Sequence, residues 1–248
     1  VNPTVPCYTC EKCKSGRTNL CVSNTSLGGA ANTVLDGAFA EYVRVPETNI
    51  EPIGNLPFKI AALAEPVACC VHGVNRANIE HGDSAAIFGA GPMGLLLLQT
   101  LRNRGMSPIV TVEPDQNRRE HALDLGADET VDPTEHEPVP TIRNGLGNVD
   151  LAVEAVGRLD TLKQAHALTA DGGTTLVFGV PPEDGMIEIS PFRLFFDELD
   201  LVGSYSLTAD AFRRAISLLQ TRRIDGDAVV TDEWKLEHLT QVFDRMSA

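Results

Sequence analysis

Long apolar runs are missing from this 248-residue sequence. The leucine run "GLLLL" at residues 94–98 falls far short of the roughly 18 apolar residues that a membrane-spanning helix needs. The chain opens on "VNPTVPCYTC", which has neither the basic flank nor the apolar core of a secretory signal. We therefore expect a soluble, cytoplasmic protein that does not enter a membrane.

Positive charge is also scarce. The sequence has 34 acidic residues against 20 basic ones, which gives a formal net charge of −14 at pH 7. Because proteins that hold a phosphate backbone need a basic surface, we do not expect nucleic acid as a partner. The content of 43% hydrophobic and 22% charged residues is otherwise typical of a globular protein with a sizeable core.

Cysteines are few, and four of the six lie in "CYTCEKCKSGRTNLC" at residues 7–21. In an intracellular chain such a group is more typical of metal ligands than of disulfides. Cys7, Cys10, Cys13 and Cys21 can supply four thiolates to one tetrahedral zinc, with no position open for a substrate. We expect a structural zinc that folds a loop poor in apolar residues, and the alternative is a set of surface thiols without a metal.

The chain changes character after about residue 60. The first part is rich in Pro, Gly, Thr and Asn, with short β-type runs such as "FAEYVRVP", and predicts a small β-rich lobe. From residue 84 onward, short apolar strands alternate with helical patterns, while "DPTEHEPVPT" is interpreted as a polar loop. Repeated βα units predict a doubly wound parallel sheet covered by helices on both faces. We predict domain boundaries after residues 64 and 208.

A glycine pattern marks the first of these βα units. Gly89, Gly91 and Gly94 follow the strand "SAAIF" and, with Pro92 and Met93, open a helix. In such a turn the first glycine allows the tight bend, the second lets a pyrophosphate approach, and the third lets helix and strand pack closely. The pattern predicts dinucleotide binding at the helix N-terminus, and the alternative is a tight βα turn without a ligand.

The next strand ends at an acid that bears on the choice of dinucleotide. Glu113 lies close to the offset of roughly 20 residues at which a carboxylate meets the adenosine ribose and repels a 2′-phosphate. NAD is therefore favoured over NADP. Arg118 and Arg119 leave NADP possible, because a guanidinium can hold a 2′-phosphate. Their alternative role is a solvated helix face.

The order of these motifs resembles one family. The four cysteines, then "DGAFAEYVRVP", "AALAEPVACCVHGV" and "GAGPMG", and later "VEAVGRLDT" and "FGVPP", are similar to the zinc-dependent medium-chain dehydrogenases, which include alcohol, sorbitol and other polyol dehydrogenases. The resemblance covers nearly the whole chain. It implies part of a GroES-like catalytic domain with a zinc lobe at 1–64, a Rossmann domain at 65–208, and a C-terminal helix that returns to the catalytic domain at 209–248.

The resemblance also implies a second, catalytic zinc. Glu65 stands where polyol-type members have Glu-Pro, so we expect it to bind that zinc directly or through its water. The alternative is an acid placed at a helix start by the helix dipole. Family members carry a further Cys and a His-Glu pair upstream, so we expect this chain to be a fragment that starts after those ligands and stops short of the last segment.

The function implied by the resemblance is hydride transfer between a secondary alcohol or polyol and NAD. Alternatives are a threonine, glucose or aldehyde dehydrogenase of the same family, or a nucleotide-binding module without catalysis. Relatives form homodimers or homotetramers, and the same is expected here. Several residues at strand ends are expected to lie along the nicotinamide and its ribose, namely Ala155, Val156, Phe178, Gly179, Val180, Ser204 and Tyr205.

Overall fold

The computed structural model describes residues 1–29 and 33–247. The chain divides into two compact units, one formed by Val1–Ala68 with Ser206–Ala248 and the other by Cys69–Tyr205. The functional domain boundaries expected after residues 64 and 208 stay a prediction. In the part of the chain that is described, no helix is long and apolar enough to cross a membrane.

The strands are short, and the helices differ widely in length. The strands are β1 (Thr4–Val5), β2 (Thr25–Leu27), β3 (Thr33–Leu35), β4 (Ala85–Phe88), β5 (Ile109–Val112), β6 (Glu129–Val131), β7 (Val149–Glu154), β8 (Thr169–Val177) and β9 (Asp200–Gly203). The helices are α1 (Glu11–Lys14), α2 (Phe58–Ala61), α3 (Ala64–Arg76), α4 (Pro92–Asn103), α5 (Gln116–Asp124), α6 (Pro138–Gly145), α7 (Leu159–Leu168), α8 (Pro191–Phe196), α9 (Ala209–Gln220) and α10 (Leu239–Ser247).

The second unit contains a six-stranded sheet in the order β6-β5-β4-β7-β8-β9. Every pair in it is parallel. The chain therefore starts in the middle, builds one half outward through β5 and β6, and crosses to the other side of β4 for β7 to β9. This is the strand order of doubly wound dinucleotide-binding domains, and the predicted fold class is confirmed.

The central strands of this sheet are apolar because they are buried on both faces. All four residues of β4 and of β5 are buried. One layer of core consists of β-strand and helix side chains, namely Ala86, Phe88, Val110, Val112, Val131, Ile142, Val149, Ala152, Ala165 and Leu168. Helix α4 buries a continuous run from Gly94 to Leu101, which explains why its leucines follow one another instead of alternating with polar residues.

The first unit is held together by contacts between distant parts of the sequence. Strands β1, β2 and β3 form a small sheet, and the buried amide of Asn49 donates to the carbonyls of Asn2 and Thr4 at 2.8 and 2.7 Å. The C-terminal segment joins this lobe, since the side-chain amide of Gln220 donates to the Ile53 carbonyl at 3.0 Å. The Lys59 ammonium also lies 2.6 Å from the Asp227 carboxylate.

Two local predictions were wrong. Residues 39–46, which contain the β-type run "FAEYVRVP", form no strand among the described residues, because a strand requires a neighbouring strand to pair with. The segment "DPTEHEPVPT" is not only a polar loop, since α6 begins at Pro138. Proline is tolerated in the first turn of a helix, where the backbone N–H groups have no intrahelical acceptor.

Candidate functional site

The carboxyl ends of the parallel strands meet along one edge of the six-stranded sheet, and one further residue extends each of five strands. Each of these residues donates its backbone N–H to the last carbonyl of the neighbouring strand, at distances of 2.8 to 3.1 Å. The five pairs are Gly89 to Val112, Glu113 to Val131, Ala155 to Phe88, Phe178 to Glu154 and Ser204 to Val177. This edge is where open α/β sheets bind their ligands.

The glycine turn lies at the centre of that edge, and each of its three glycines meets a different condition. Gly89 has φ +103°, a conformation that only glycine adopts without strain. A Cβ atom at Gly94 would lie 2.0 Å from the Gly89 carbonyl oxygen, whereas a Cβ at Gly91 would meet no atom within 4 Å. The second position thus leaves open the space that a pyrophosphate requires.

Helix α4 begins directly after this turn. Gly91 is its N-cap, without a capping side chain, and Pro92 occupies the first helical position. Met93 lies in the same turn, and its carbonyl accepts a weak hydrogen bond from the Cys70 thiol at 3.9 Å. The N-terminal N–H groups and the positive end of the helix dipole suit an anionic ligand at this place.

Glu113 contacts the glycine turn directly. Its carboxylate, which is almost fully buried, accepts the Ala90 N–H at 2.8 Å. The Arg118 guanidinium lies 3.8 Å from the same carboxylate and is largely exposed. Arg119 points elsewhere, because it pairs with Asp132 at 2.8 Å and donates to the Glu113 carbonyl. Of the two arginines, only Arg118 is therefore placed to approach a cofactor phosphate.

The residues predicted to lie along the nicotinamide come together at the ends of β7, β8 and β9. Val156 lies against the glycine turn, because a Cβ at Gly89 would be 2.8 Å from its Cγ2 atom. The Phe178 ring and the Ser204 hydroxyl both lie beside Gly73 of α3. Val180 and Tyr205 are exposed, and Ala155 and Gly179 are half-buried. The role of each of these residues stays a prediction.

Sequence reasoning missed one residue at the same edge. Glu154, the last residue of β7, is 1% exposed, and its carboxylate accepts hydrogen bonds from the loop that follows. The signal that could have identified it is an acid directly after the apolar run "LAV" of the strand "VDLAVE", because a buried carboxylate requires donors in the fold.

The four predicted metal ligands lie together in the first unit. The Sγ atoms of Cys7, Cys10, Cys13 and Cys21 are all within 4.8 Å of one another. A tetrahedral zinc with Zn–S bonds of about 2.3 Å places its sulfurs roughly 3.8 Å apart, close to the 4.0 Å between Cys7 and Cys13. The donor set therefore fits a structural zinc.

The surroundings of two of these sulfurs favour thiolates, the form that binds zinc. A hydrogen bond from the Thr9 hydroxyl, assisted by the N–H groups of Thr9 and Cys10, lowers the pKa of Cys7 to about 5. The N–H groups of Cys13 and Val22 lower the pKa of Cys10. Burial raises the pKa of Cys13 to about 12, so in the absence of a cation this sulfur is a thiol.

Glu65 lies in the first turn of α3 and is half-buried. Among the described residues, the only group of three or more His, Cys, Asp or Glu side chains that could hold a metal is the four-cysteine cluster. One carboxylate alone does not hold a catalytic zinc. The role of Glu65 as a ligand of a catalytic zinc therefore stays a prediction.

A doubly wound sheet, a glycine turn with an open second position and a four-cysteine centre together define a dinucleotide-binding protein with a structural metal lobe. The sequence pattern of the zinc-binding dehydrogenases matches residues 92–221, and that of the alcohol dehydrogenase GroES-like domain matches residues 1–55. The chain belongs to the zinc-dependent medium-chain dehydrogenase family.

The relatives include several polyol dehydrogenases. D-altritol 5-dehydrogenase of Agrobacterium fabrum is 37% identical over 233 residues, which cover 92% of this chain and 66% of the relative. Sorbitol dehydrogenase of Bacillus subtilis is 31% identical over 249 residues, which cover 99% of this chain and 69% of the relative. This chain thus spans about two thirds of the length of these proteins.

A solved structure gives the same result for the fold. A Sinorhizobium meliloti protein described as a zinc-binding dehydrogenase, crystallised with NADP bound, superposes with a TM-score of 0.89 at 34% identity. The match covers 97% of this chain and 70% of that protein. The predicted combination of a Rossmann domain and a GroES-like region is therefore confirmed.

Proposed function

We propose that this chain is part of a cytoplasmic, zinc-dependent oxidoreductase that transfers hydride between a secondary alcohol or polyol and NAD. The observation that carries the proposal is the open space at Gly91, next to the Glu113 carboxylate that accepts the Ala90 N–H of the glycine turn. The altritol and sorbitol relatives support the substrate class. The four cysteines that lie together as metal ligands, and not as disulfides, support a reducing compartment.

The experiment is an assay of NADH formation at saturating NAD with a panel of polyols, secondary alcohols, threonine, glucose and aldehydes, on the protein at its full length. We expect turnover of polyols or secondary alcohols. Turnover of threonine, glucose or aldehydes alone would replace the substrate class. Binding of NADH without turnover of any compound would identify a non-catalytic nucleotide-binding module.

The choice between NAD and NADP rests on the charge of Glu113. We expect the protein to bind NADH more tightly than NADPH, because the Glu113 carboxylate repels a 2′-phosphate and Asp132 holds Arg119 elsewhere. Glu113→Gln keeps an acceptor for the Ala90 N–H but removes the charge. It should raise the NADPH affinity relative to NADH by about tenfold, the effect of about 1.4 kcal/mol, measured by fluorescence titration.

The control is Asp124→Asn, which removes a charge at the far end of α5 and should leave the ratio unchanged. If the unaltered protein binds NADPH more tightly than NADH, the assignment of NAD is contradicted. The NADP bound to the Sinorhizobium meliloti relative makes this measurement necessary.

A homo-oligomer is also part of the proposal, with a second copy of this chain at the β9 edge of the sheet. Strand β9 is the last in the sheet order, and α8 presents Phe192, Phe195 and Phe196, which are 70%, 80% and 70% exposed. The rings of Phe192 and Phe196 stack with centroids 5.4 Å apart. An open strand edge beside an exposed apolar cluster is typical of a surface that a partner covers.

We expect light scattering to give a mass of two or four chains, and the double variant Phe192→Ser with Phe196→Ser to give single chains. The reason is that each buried phenyl ring contributes about 1.5–3 kcal/mol to association. Phe58→Ser removes an even more exposed ring, at 87%, from the first unit and serves as the control. A single-chain mass for the unaltered protein would contradict the proposal.

A further inference from the structure

Glu154 is a buried acid at the edge of the sheet that the proposed function has not yet used. It ends β7, whose other residues in the sheet centre, Leu151 to Val153, are fully buried. A carboxylate in such a place costs several kcal/mol unless hydrogen bonds replace its water. The hydrogen bonds that Glu154 accepts therefore show which part of the fold it stabilises.

The donors to this carboxylate all come from the turn that follows β7 and from the first residues of α7. Oε1 accepts the N–H of Val156 at 2.9 Å, the N–H of Gly157 at 2.8 Å and the hydroxyl of Thr161 at 2.8 Å. Oε2 accepts the Gly157 N–H at 3.1 Å. The side chain thus fixes the backbone of residues 156 and 157.

The backbone of the same residue fixes the neighbouring turn. The Glu154 carbonyl accepts the N–H groups of Phe178 and Gly179 at 3.0 and 2.8 Å. A Cβ at Gly179 would lie 2.3 Å from the Gly157 nitrogen and 2.7 Å from Oε2 of Glu154. The two turns therefore touch through glycine backbone, with the carboxylate at their junction.

These two turns carry five of the residues predicted to lie along the nicotinamide, namely Ala155, Val156, Phe178, Gly179 and Val180. The Val156 side chain also lies against Gly89 of the glycine turn. The turn after β7 is therefore next to the expected position of the pyrophosphate. We propose that Glu154 is a positioning residue that sets the nicotinamide half of the dinucleotide site, while the adenosine half is set by the glycine turn and Glu113.

The inference rests on the proposed function, and the test separates the nicotinamide ring from the rest of the cofactor. NADH carries this ring, whereas ADP-ribose keeps both ribose–phosphate units and lacks only the ring. We expect Glu154→Ala to weaken NADH binding on the order of tenfold, the equivalent of about 1.4 kcal/mol, and to leave ADP-ribose binding within about twofold. Glu154→Gln keeps one acceptor oxygen and should give an intermediate loss.

The matched control is Asp150→Asn in the same strand. Asp150 also accepts from backbone and hydroxyl groups, the N–H and Oγ of Ser84 at 2.8 and 2.7 Å, but it lies near the opposite end of β7. Loss of the Asp150 carboxylate should lower the unfolding temperature without changing the ratio of the two dissociation constants. If Glu154 had only a structural role, Glu154→Ala would likewise lower the unfolding temperature and leave that ratio unchanged.

The outcomes are distinct. A larger loss for NADH than for ADP-ribose in Glu154→Ala, with the ratio unchanged in Asp150→Asn, supports the inference. Equal losses for both ligands, no loss for either, or equal affinities for both in the unaltered protein would overturn it while leaving a dinucleotide site in place. Failure of the unaltered protein to bind either ligand would overturn the proposed function itself.

Discussion

Gly94→Ala is expected to destabilise the dinucleotide-binding unit and to abolish NADH binding. The added Cβ would lie 2.0 Å from the carbonyl oxygen of Gly89, a backbone atom that cannot rotate away. Relief requires α4 to move from the end of β4, where the helix buries the run from Gly94 to Leu101. Forced overpacking of this kind typically costs 1–3 kcal/mol and here should reach at least about 3 kcal/mol.

Gly91→Ala, in the same turn, is expected to weaken NADH binding without lowering the stability of the fold. The added Cβ meets no protein atom within 4 Å, and the φ of −68° at Gly91 is open to any residue. The fold should therefore keep its stability, while the methyl group occupies the space required by the pyrophosphate. We expect an unfolding temperature close to that of the unaltered protein and at least a roughly tenfold loss of NADH affinity.

Chemical unfolding and NADH titration of both variants test this pair, with Gly145→Ala as the control. Gly145 ends α6, and a Cβ there also meets no atom within 4 Å. This control should keep both properties. Full NADH affinity in Gly91→Ala would show that the dinucleotide does not use the glycine turn, and full stability in Gly94→Ala would contradict the packing argument.

Cys13→Ser is expected to remove the structural zinc and to unfold the segment around residues 7–21. Serine retains the shape of the side chain but offers no thiolate, and three sulfurs cannot complete the tetrahedral set. Structural zinc contributes about 10–16 kcal/mol of apparent binding energy in small zinc domains, so the loss should be several kcal/mol even where other contacts remain. The first unit should then unfold at lower denaturant.

Zinc content by atomic spectroscopy and proteolysis of the segment measure the effect. Cys69→Ser alters a cysteine outside the cluster and should keep the zinc content of the unaltered protein. Chelation of the unaltered protein should reproduce the proteolytic pattern of Cys13→Ser. An unchanged zinc content in Cys13→Ser would mean that the four sulfurs do not bind one ion.

The parts of the fold that follow from local sequence were predictable. They include the "SAAIF" strand, the glycine turn and the four-cysteine cluster. Each is indicated by a pattern of a few residues, because strand burial, turn geometry and ligand spacing are local properties. Helix α6 was missed since Pro138 and Pro140 resemble helix breakers, although both lie in its first turn. Helix α8 begins with Ser190 as its N-cap and Pro191 as its first residue. This Ser-Pro pair is a helix-start signal from which α8 could have been predicted.

The long-range contacts were not predictable from the sequence. The pairing of Arg119 with Asp132 depends on the parallel register of β5 and β6, and no short pattern records it. The same holds for the Glu154 carbonyl, which accepts the N–H groups of Phe178 and Gly179 only once β7 and β8 have paired. Without these contacts, Arg118 and Arg119 looked equivalent as partners for a phosphate.

The one-residue extension of the sheet beyond its strands limits where this protein can be re-engineered. Because Gly89, Glu113, Ala155, Phe178 and Ser204 each donate a backbone N–H to the neighbouring strand, a transplanted loop that begins at any of them must start with an extended residue other than proline. Grafts that begin later are free of this restriction. The segment 181–190 lies outside all five junctions, so loops of other lengths can be exchanged there without the loss of these hydrogen bonds.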